Sequence, residues 1–203
     1  MAFSSKELNY LQDTEFLLTK HQVTTKVHQL LESTQTQLKA AVAELDFDFP
    51  DAVDVVKGKI SKGEQYRQLP YLVLDYPKLF SRADVFAFRT MCWWGNEFSC
   101  TLMLAEKSWH LHRTAIAHHL PKLTPAHGWY IGVNTTPWEH HFGEDNCLPL
   151  ANFSPETLQQ HLQKMPFLKL SRKLPLEQWQ QLPGFANECF TALMGLMTTI
   201  PNL

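Results

Sequence analysis

The chain has 203 residues, of which 44% are hydrophobic and 19% are charged, and its formal net charge is −2. This length is enough for one domain with a substantial core, and the composition is that of a globular protein rather than a disordered one. No block of basic residues is present, so we expect no nucleic-acid partner, because neutralising phosphates requires clustered Lys and Arg. No uncharged apolar run approaches about 20 residues, so we expect no membrane partner.

The N-terminal residues show no basic region followed by an apolar stretch, which a secretory signal requires. We therefore expect a cytoplasmic protein. None of the four cysteines forms a CxxC pair, which argues against a zinc ribbon or a thioredoxin-type motif. In a reducing compartment we expect Cys92 and Cys100 to be small buried hydrophobic residues rather than a disulfide.

The N-terminal region predicts helix. Apolar residues recur at helical spacing from about Lys6 to Leu45, which indicates one long helix or two helices joined by a kink. Ser4 and Glu7 have the spacing of a capping box. The helix should end before Pro50, because a residue that precedes proline disfavours the α conformation. The polar stretch 51–69 predicts a loop with at most a single helical turn.

A β-hairpin is the strongest prediction in the chain. Residues 71–76 lie between two prolines and predict a strand. In residues 85–105, two segments of alternating polarity then flank the turn signal at 95–97, which is typical of a hairpin. The hairpin fixes one face of a sheet and therefore part of the core.

The length of the hairpin loop decides which side chains meet. A two-residue loop would place Trp94 opposite Glu97 and would set the apolar face of one strand beside the polar face of the other. A three-residue loop at 95–97 places Trp94 opposite Phe98 and Cys92 opposite Cys100, so that the two apolar faces coincide. We therefore predict the three-residue loop.

The second half of the chain alternates short elements. In chain order these are a segment that is either strand or helix at 109–123, a short strand at 128–134, a loop at 135–153, a helix from Ser154 to about Lys164, an edge strand at 167–170 and a buried helix at 176–199 that is interrupted near Pro183. Strands grouped between helices predict a single α+β domain over residues 1–203. Its central sheet should be mostly antiparallel, with the long N-terminal helix and the C-terminal helices packed on one face.

Histidines cluster in the segment 110–141, which holds seven of the ten in the chain. Imidazole and carboxylate groups suit zinc or another divalent metal, and the candidate ligands are His110, His112, Glu139, His140 and His141. His110 and His112 would point to the same side of a strand, but on a helix they would diverge by about 200°. The known helical zinc spacings are absent. The favoured interpretation is hydrogen-bonded imidazoles without a cofactor, and a divalent metal or an acid–base role is the alternative.

Aromatic residues provide a second candidate site. Arg89, Trp93, Trp129 and Trp138 could line a pocket for a flat or sugar-like ligand, since binding groups often lie on loops above a rigid sheet. The usual role of such aromatic residues is in the core. Asp75, near the end of a predicted strand, is expected to form a turn or to pair with Arg89. Nucleophile-elbow and phosphate-loop motifs are absent.

Two segments resemble a group of small bacterial proteins of unassigned function. These are KISKGEQYRQLPYLVLDYPKLF at 59–80 and FRTMCWWGNEFS at 88–99, and the resemblance covers about 40 residues, roughly a fifth of the chain. The resemblance implies a bacterial protein, and it implies no activity, ligand or catalytic residue.

Three functions are compatible with these patterns. The favoured one is a soluble, non-enzymatic protein that binds a small molecule or a partner protein. The alternative is a metal-dependent enzyme, such as a hydrolase, that uses the segment 110–141 to activate water. The third is a self-associating structural protein, a homo-oligomer that pairs through its long N-terminal helix, although the abundance of Gln and Thr there is unfavourable for a coiled coil.

Overall fold

The computed structural model describes residues 2–123 and 128–198. In these residues seven strands form one antiparallel sheet with the spatial order β1-β2-β3-β4-β7-β5-β6. In chain order, the strands are β1 (Lys59–Tyr66), β2 (Leu69–Phe80), β3 (Asp84–Trp93), β4 (Glu97–Ala105), β5 (Tyr130–Gly132), β6 (Cys147–Pro149) and β7 (Phe167–Pro175). The helices are α1 (Ser5–Gln12), α2 (Thr14–Glu44), α3 (Glu106–His119), α4 (Pro155–Lys164) and α5 (Leu182–Gly195).

The N-terminal region consists of two helices with a break at Asp13, which agrees with the second of the two predicted alternatives. The Asp13 carboxylate accepts the backbone N–H of Phe16 at 2.8 Å and so caps α2. The predicted capping box of Ser4 and Glu7 is present at the start of α1. The long helix α2 ends at Glu44, well before Pro50.

The hairpin between β3 and β4 has the predicted odd loop length but a different register. Cys92 lies opposite Phe98, and Thr90 lies opposite Cys100. The apolar faces of the two strands therefore coincide, as expected, but the predicted pairing of Cys92 with Cys100 is wrong by two residues.

The turn geometry explains this shift. The loop is 94–96 rather than 95–97, and the backbone N–H of Asn96 donates to the Trp93 carbonyl at 3.1 Å. Gly95 has a φ of 72° and occupies the third position of this four-residue turn. Type II turns need a positive φ at that position, which glycine adopts without strain. The alternation of the strands specifies the parity of the loop but not its position.

Three predictions about the strands are wrong. Residues 59–66, predicted as a loop, form β1, which lies at the edge of the sheet and pairs with β2. Polar residues are tolerated there because one side of an edge strand stays exposed. The predicted edge strand 167–170 is longer (Phe167–Pro175) and lies inside the sheet between β4 and β5. The predicted loop 135–153 also contains β6.

The remaining helices follow the sequence signals more closely. The ambiguous segment 109–123 is mostly α3, and the helix α4 begins after Ser154 and ends at Lys164 as predicted. The C-terminal segment begins with a 3₁₀ helix, Leu176–Gln181, and α5 then starts at Leu182. Pro183 lies in the first turn of α5, where a proline costs no hydrogen bond.

All helices from α2 to α5 contribute buried residues to one core on one face of the sheet, which we call the helix-side face. The even-numbered side chains of β3, among them Phe86 and Phe88, point into this core together with Leu31 and Leu38 of α2. The α+β architecture with helices on one face is therefore as predicted. No helix in the described residues combines the length and the apolar character needed to cross a membrane.

Candidate functional site

The opposite face of the sheet, which we call the loop-side face, carries a row of polar residues across five strands. Side chains directly opposite each other on neighbouring strands point to the same face and lie within contact distance. The strand registers place five such residues side by side in the order Lys59, Asp75, Arg89, Thr101 and Ser171. The row ends in a hydrogen bond of 2.9 Å between the hydroxyls of Thr101 and Ser171.

Arg89 forms a fork-shaped ion pair with Asp75 at the centre of this row. Its Nε and Nη2 donate to the two carboxylate oxygens of Asp75 at 2.7 and 2.9 Å. The predicted pairing of Asp75 with Arg89 is therefore confirmed. Both side chains are nearly buried, and such a bidentate pair fixes the plane of the guanidinium group.

His140 approaches the same guanidinium group from above the sheet. The Nη1 atom of Arg89 lies 2.9 Å from Nε2 of His140. Arginine has no acceptor atom, so Nε2 accepts this hydrogen bond and the ring proton lies on Nδ1. Burial, together with the charges of Arg89 and Lys169, lowers the pKa of His140 to about 3. His140 is therefore neutral at physiological pH.

Residues 133–146, which we call the covering loop, cross the loop-side face and bring His140 to this position. The hydroxyl of Tyr66 accepts the backbone N–H groups of His140 and His141 at 2.7 and 3.0 Å. The same hydroxyl donates to Oε2 of Glu139 at 2.9 Å. Burial is the main cause that raises the pKa of Tyr66, so its hydroxyl stays protonated. Tyr66 thus ties the covering loop to the end of β1.

Lys169 of β7 anchors the loop from below. Its side chain is buried, and its ammonium donates to the Glu139 carbonyl at 2.9 Å and to Oδ1 of Asn146 at 2.5 Å. Burial lowers its pKa. A Cβ on Gly132 would lie 2.9 Å from two carbons of the Lys169 side chain, so glycine is needed there for this lysine to rise past β5.

A cleft of about 580 Å³ opens between the covering loop and the outer strands β1 to β3. Its cationic lining residues are Lys59, Lys78 and Arg89, and its acidic residue is Asp75. Its aromatic lining residues are Tyr66, Tyr71, Phe80 and Trp138. A volume between about 300 and 1,000 Å³ is typical of small-molecule sites.

A bulge in β2 contributes two of these residues. The register between β2 and β3 shifts between Asp75 and Lys78. Beyond the shift, the even-numbered residues Lys78 and Phe80 pair with odd-numbered residues of β3 and so point to the loop-side face. The Arg89 guanidinium lies 5.8 Å from the centre of the Phe80 ring.

The four residues of the predicted pocket are brought together only in part. Arg89 and Trp138 line the cleft. Trp93 lies on the same face and packs edge-on against Tyr66, with ring centres 5.1 Å apart. Trp129 lies in the helix-side core, where Arg172 stacks over its ring at 5.3 Å. Arg89 and Trp93 of β3 and Trp138 of the covering loop therefore lie on the same face of the sheet, whereas Trp129 is not part of this site.

The five predicted metal ligands are not brought together, because the sheet separates them. The helix α3 turns His110 towards solvent and buries His112 on the helix-side face, where its ring lies 5.5 Å from that of Phe47. Glu139, His140 and His141 lie on the covering loop, on the other face. A metal held by fewer of these groups stays a prediction.

Among the described residues, no group of three or more His, Cys, Asp and Glu side chains is placed to hold a metal ion. Residues 124–127 of the predicted segment 110–141 lie outside the described residues.

His141 is buried, and its Nε2 atom lies 2.5 Å from Nη2 of Arg67. Burial and the Arg67 charge lower its pKa.

Sequence reasoning missed most residues of the cleft and its support, among them Lys59, Tyr66, Lys78, Phe80 and Lys169. Lys59 and Tyr66 were missed because β1 was predicted as a loop. Lys78 and Phe80 follow Pro77, where the predicted strand had ended. Lys169 alternates with Leu168 and Leu170 in a strand. Because these two leucines are apolar and suit the core, Lys169 could have been assigned to the opposite face of the sheet.

Comparison of this chain with protein-family models, with curated proteins and with solved structures finds no match in any of the three.

Proposed function

We propose that this protein is a non-enzymatic binding protein whose cleft takes a small ligand with an anionic group and a flat ring. The observation that carries the proposal is the position of Arg89 in the lining of the cleft. Asp75 and His140 occupy three of its five N–H groups, which fixes its orientation and leaves two donors. A guanidinium group held in this way is suited to a carboxylate or a phosphate.

The charge of the cleft supports an anionic ligand. Three cationic side chains and one carboxylate line it. Lys78 is paired outside the cleft with Asp54 at 3.3 Å, whereas Lys59 is exposed and has no ion pair within the described residues. Lys59 is therefore the residue whose charge is most available to an entering anion.

The aromatic lining supports a flat ring. Phe80 and Trp138 stand with ring centres 5.9 Å apart and planes at 51°, at the outer side of the cleft. Trp138 is 48% exposed, which is unusual for so large an apolar side chain. Burying its free face against a planar ligand would stabilise the complex.

The protonation states support binding rather than proton transfer. A general acid or base works best with a pKa near the working pH. The pKa of His140 is lowered to about 3 and that of Tyr66 is raised, so neither group exchanges a proton readily near neutrality. Both serve as hydrogen-bonding groups that hold the loop and Arg89.

The cysteines support a reducing compartment, and we place the protein in the cytoplasm. All four are free and buried. Burial raises the pKa of Cys92 to about 12 and raises that of Cys147, so these thiols are poor nucleophiles. They act as small hydrophobic residues.

The test is titration calorimetry with matched probes, namely indole-3-carboxylate against indole-3-carboxamide and adenosine monophosphate against adenosine. We expect the anionic member of at least one pair to bind more than about tenfold tighter than its neutral partner. Lys59→Gln should weaken that binding. Lys62→Gln is the matched control, because Lys62 is an exposed residue on the opposite face of the same strand. Equal binding by both variants, or no preference for the anions, would refute the proposal.

A further inference from the structure

Every residue of the N-terminal arm, defined as residues 2–19, is exposed to solvent. The first buried residue of α2 is Leu31. The exposed large apolar side chains of the arm, between 39% and 67% accessible, are Phe3, Leu8, Tyr10, Leu11, Phe16, Leu17 and Leu18. An apolar surface of this size on a monomer is typical of an interaction site.

An apolar groove of about 700 Å³ lies farther along α2, where the helix meets the body of the protein. We call it the hairpin groove. Its apolar lining comes from α2, from the β3–β4 hairpin and from the 3₁₀ helix before α5, through Val23, Val27, Leu30, Trp94, Phe98 and Trp179. Trp179 is 52% exposed, so the groove is open to solvent at this residue.

We propose that a second copy of this chain covers the hairpin groove, with α1 of each copy packed in the groove of the other. Both halves of the contact, an unpacked apolar helix and an apolar groove, are present on one chain. In a twofold dimer each surface meets its counterpart on the other copy, so one sequence supplies both contacts twice.

The helix geometry allows this exchange. Leu8 and Val27 are 19 residues apart on either side of the break at Asp13, and two antiparallel α2 helices would bring each α1 beside the other groove. Phe16 lies near the midpoint between them, and it precedes Val23 by seven residues, so both point to the same side of α2. The exposed ring of Phe16 thus falls near the twofold axis on the groove side.

The arm cannot reach the groove of its own chain as an antiparallel hairpin. Asp13 is the only residue between α1 and α2. Helical hairpins need about two to five connecting residues. A second copy is therefore the partner that can place α1 beside Val23 and Val27.

Charge and area also favour a protein partner of this sequence. The arm contains one basic residue, Lys6, and three acidic residues, Glu7, Asp13 and Glu15, and Lys26 borders the groove. Helices that lie on membranes are instead rich in Lys and Arg. Stable interfaces bury about 800 Å² on each partner, which is the order of area that seven half-exposed large apolar side chains supply.

The first test is light scattering on the full chain at tens of micromolar, where we expect a dimer. The double variant Leu8→Glu, Leu11→Glu should weaken dimerisation by more than about tenfold and give a monomer. Its circular dichroism should remain that of a folded protein, because no residue of α1 is buried. The control Leu111→Glu changes a residue that is 70% exposed on α3, and it should stay dimeric.

Monomeric wild-type protein would overturn the proposal, and so would a dimer that survives the double variant. If the monomer instead binds vesicles of phosphatidylcholine and phosphatidylglycerol through α1, the arm is a membrane anchor and the proposal is equally wrong. Neither result bears on the cleft, because the cleft lies on the other face of the sheet.

The second test is cross-linking at the expected axis. The four native cysteines are buried, so an added cysteine is the accessible one. Thr19→Cys lies on the groove side of α2, three residues from Phe16, and a short bismaleimide should link two copies efficiently. Thr25→Cys lies on the opposite side and should link poorly. Equal yields from both variants would contradict the antiparallel arrangement.

Discussion

The two faces of strand β3 are formed by alternate residues of one ten-residue segment, but they are held in different ways. On the helix-side face, Phe86, Phe88 and Cys92 pack among apolar side chains of four helices. On the loop-side face, Arg89 depends on a few directed hydrogen bonds to Asp75 and His140. Packing of the first kind is insensitive to pH, whereas the second kind fails when one partner is lost or protonated.

The largest effect is expected on the helix-side face. Phe88 is 1% exposed, and its ring packs edge-on against Phe190 at 5.3 Å. Phe88→Ala should lower the free energy of unfolding by about 4 kcal/mol, through lost burial and a residual cavity. Urea denaturation measures this. The loss should be the same at pH 7 and pH 5, and a marked pH dependence would break the contrast between the faces.

On the loop-side face, Asp75→Leu should cost about 3 kcal/mol, because it leaves the guanidinium group of Arg89 nearly buried without its counterion. Adding Arg89→Met should recover most of that loss, since an apolar pair can replace a buried ion pair. The four proteins of this double-mutant cycle are compared by urea denaturation. Additive losses would show that the two residues are not coupled.

The residues of the helix-side face were largely predictable from sequence, because strict alternation in β3 and β4 identifies them. The pairing register was not, since it depends on which turn position Gly95 occupies. Alternation is a property of each strand alone, whereas register is a property of the turn that joins two strands.

The candidate site was less predictable because it is assembled from distant segments. Tyr66 and His140 are 74 positions apart and meet through a hydrogen bond from the backbone N–H of His140 to the Tyr66 hydroxyl. The edge strand that carries Tyr66 is too polar to be recognised as a strand. Proximity in sequence was also misleading, since His112 and His140 lie on opposite faces of the sheet.

A smaller effect is expected in the pH dependence of the free energy of unfolding, to which His140 on the loop-side face should contribute. The pKa of His140 is about 3 in the folded protein and near 6.5 when unfolded. Below pH 6.5 the unfolded chain binds a proton that the folded chain does not, so stability falls as pH falls. One such group costs about 2 kcal/mol at pH 5.

The matched variant for this prediction is His140→Gln, whose amide oxygen still accepts from Arg89 but does not titrate. The stability lost between pH 7 and pH 5, measured by urea denaturation, should be smaller by about 2 kcal/mol in the variant than in the wild type. Contributions from the rest of the chain are common to both proteins and cancel in the comparison. Identical losses would mean that burial and the charge of Arg89 do not hold His140 neutral in the folded protein.

The smallest effect on stability is expected at the rim of the cleft. Trp138 is 48% exposed and contacts Phe80 at 5.9 Å, so Trp138→Ala should change the free energy of unfolding by less than about 1 kcal/mol. The same variant should weaken binding of a flat anionic probe several-fold, because it removes one wall of the cleft. Calorimetry and urea denaturation on one protein sample measure both. A large loss of stability with unchanged binding would show that Trp138 holds the covering loop in place and does not meet a ligand.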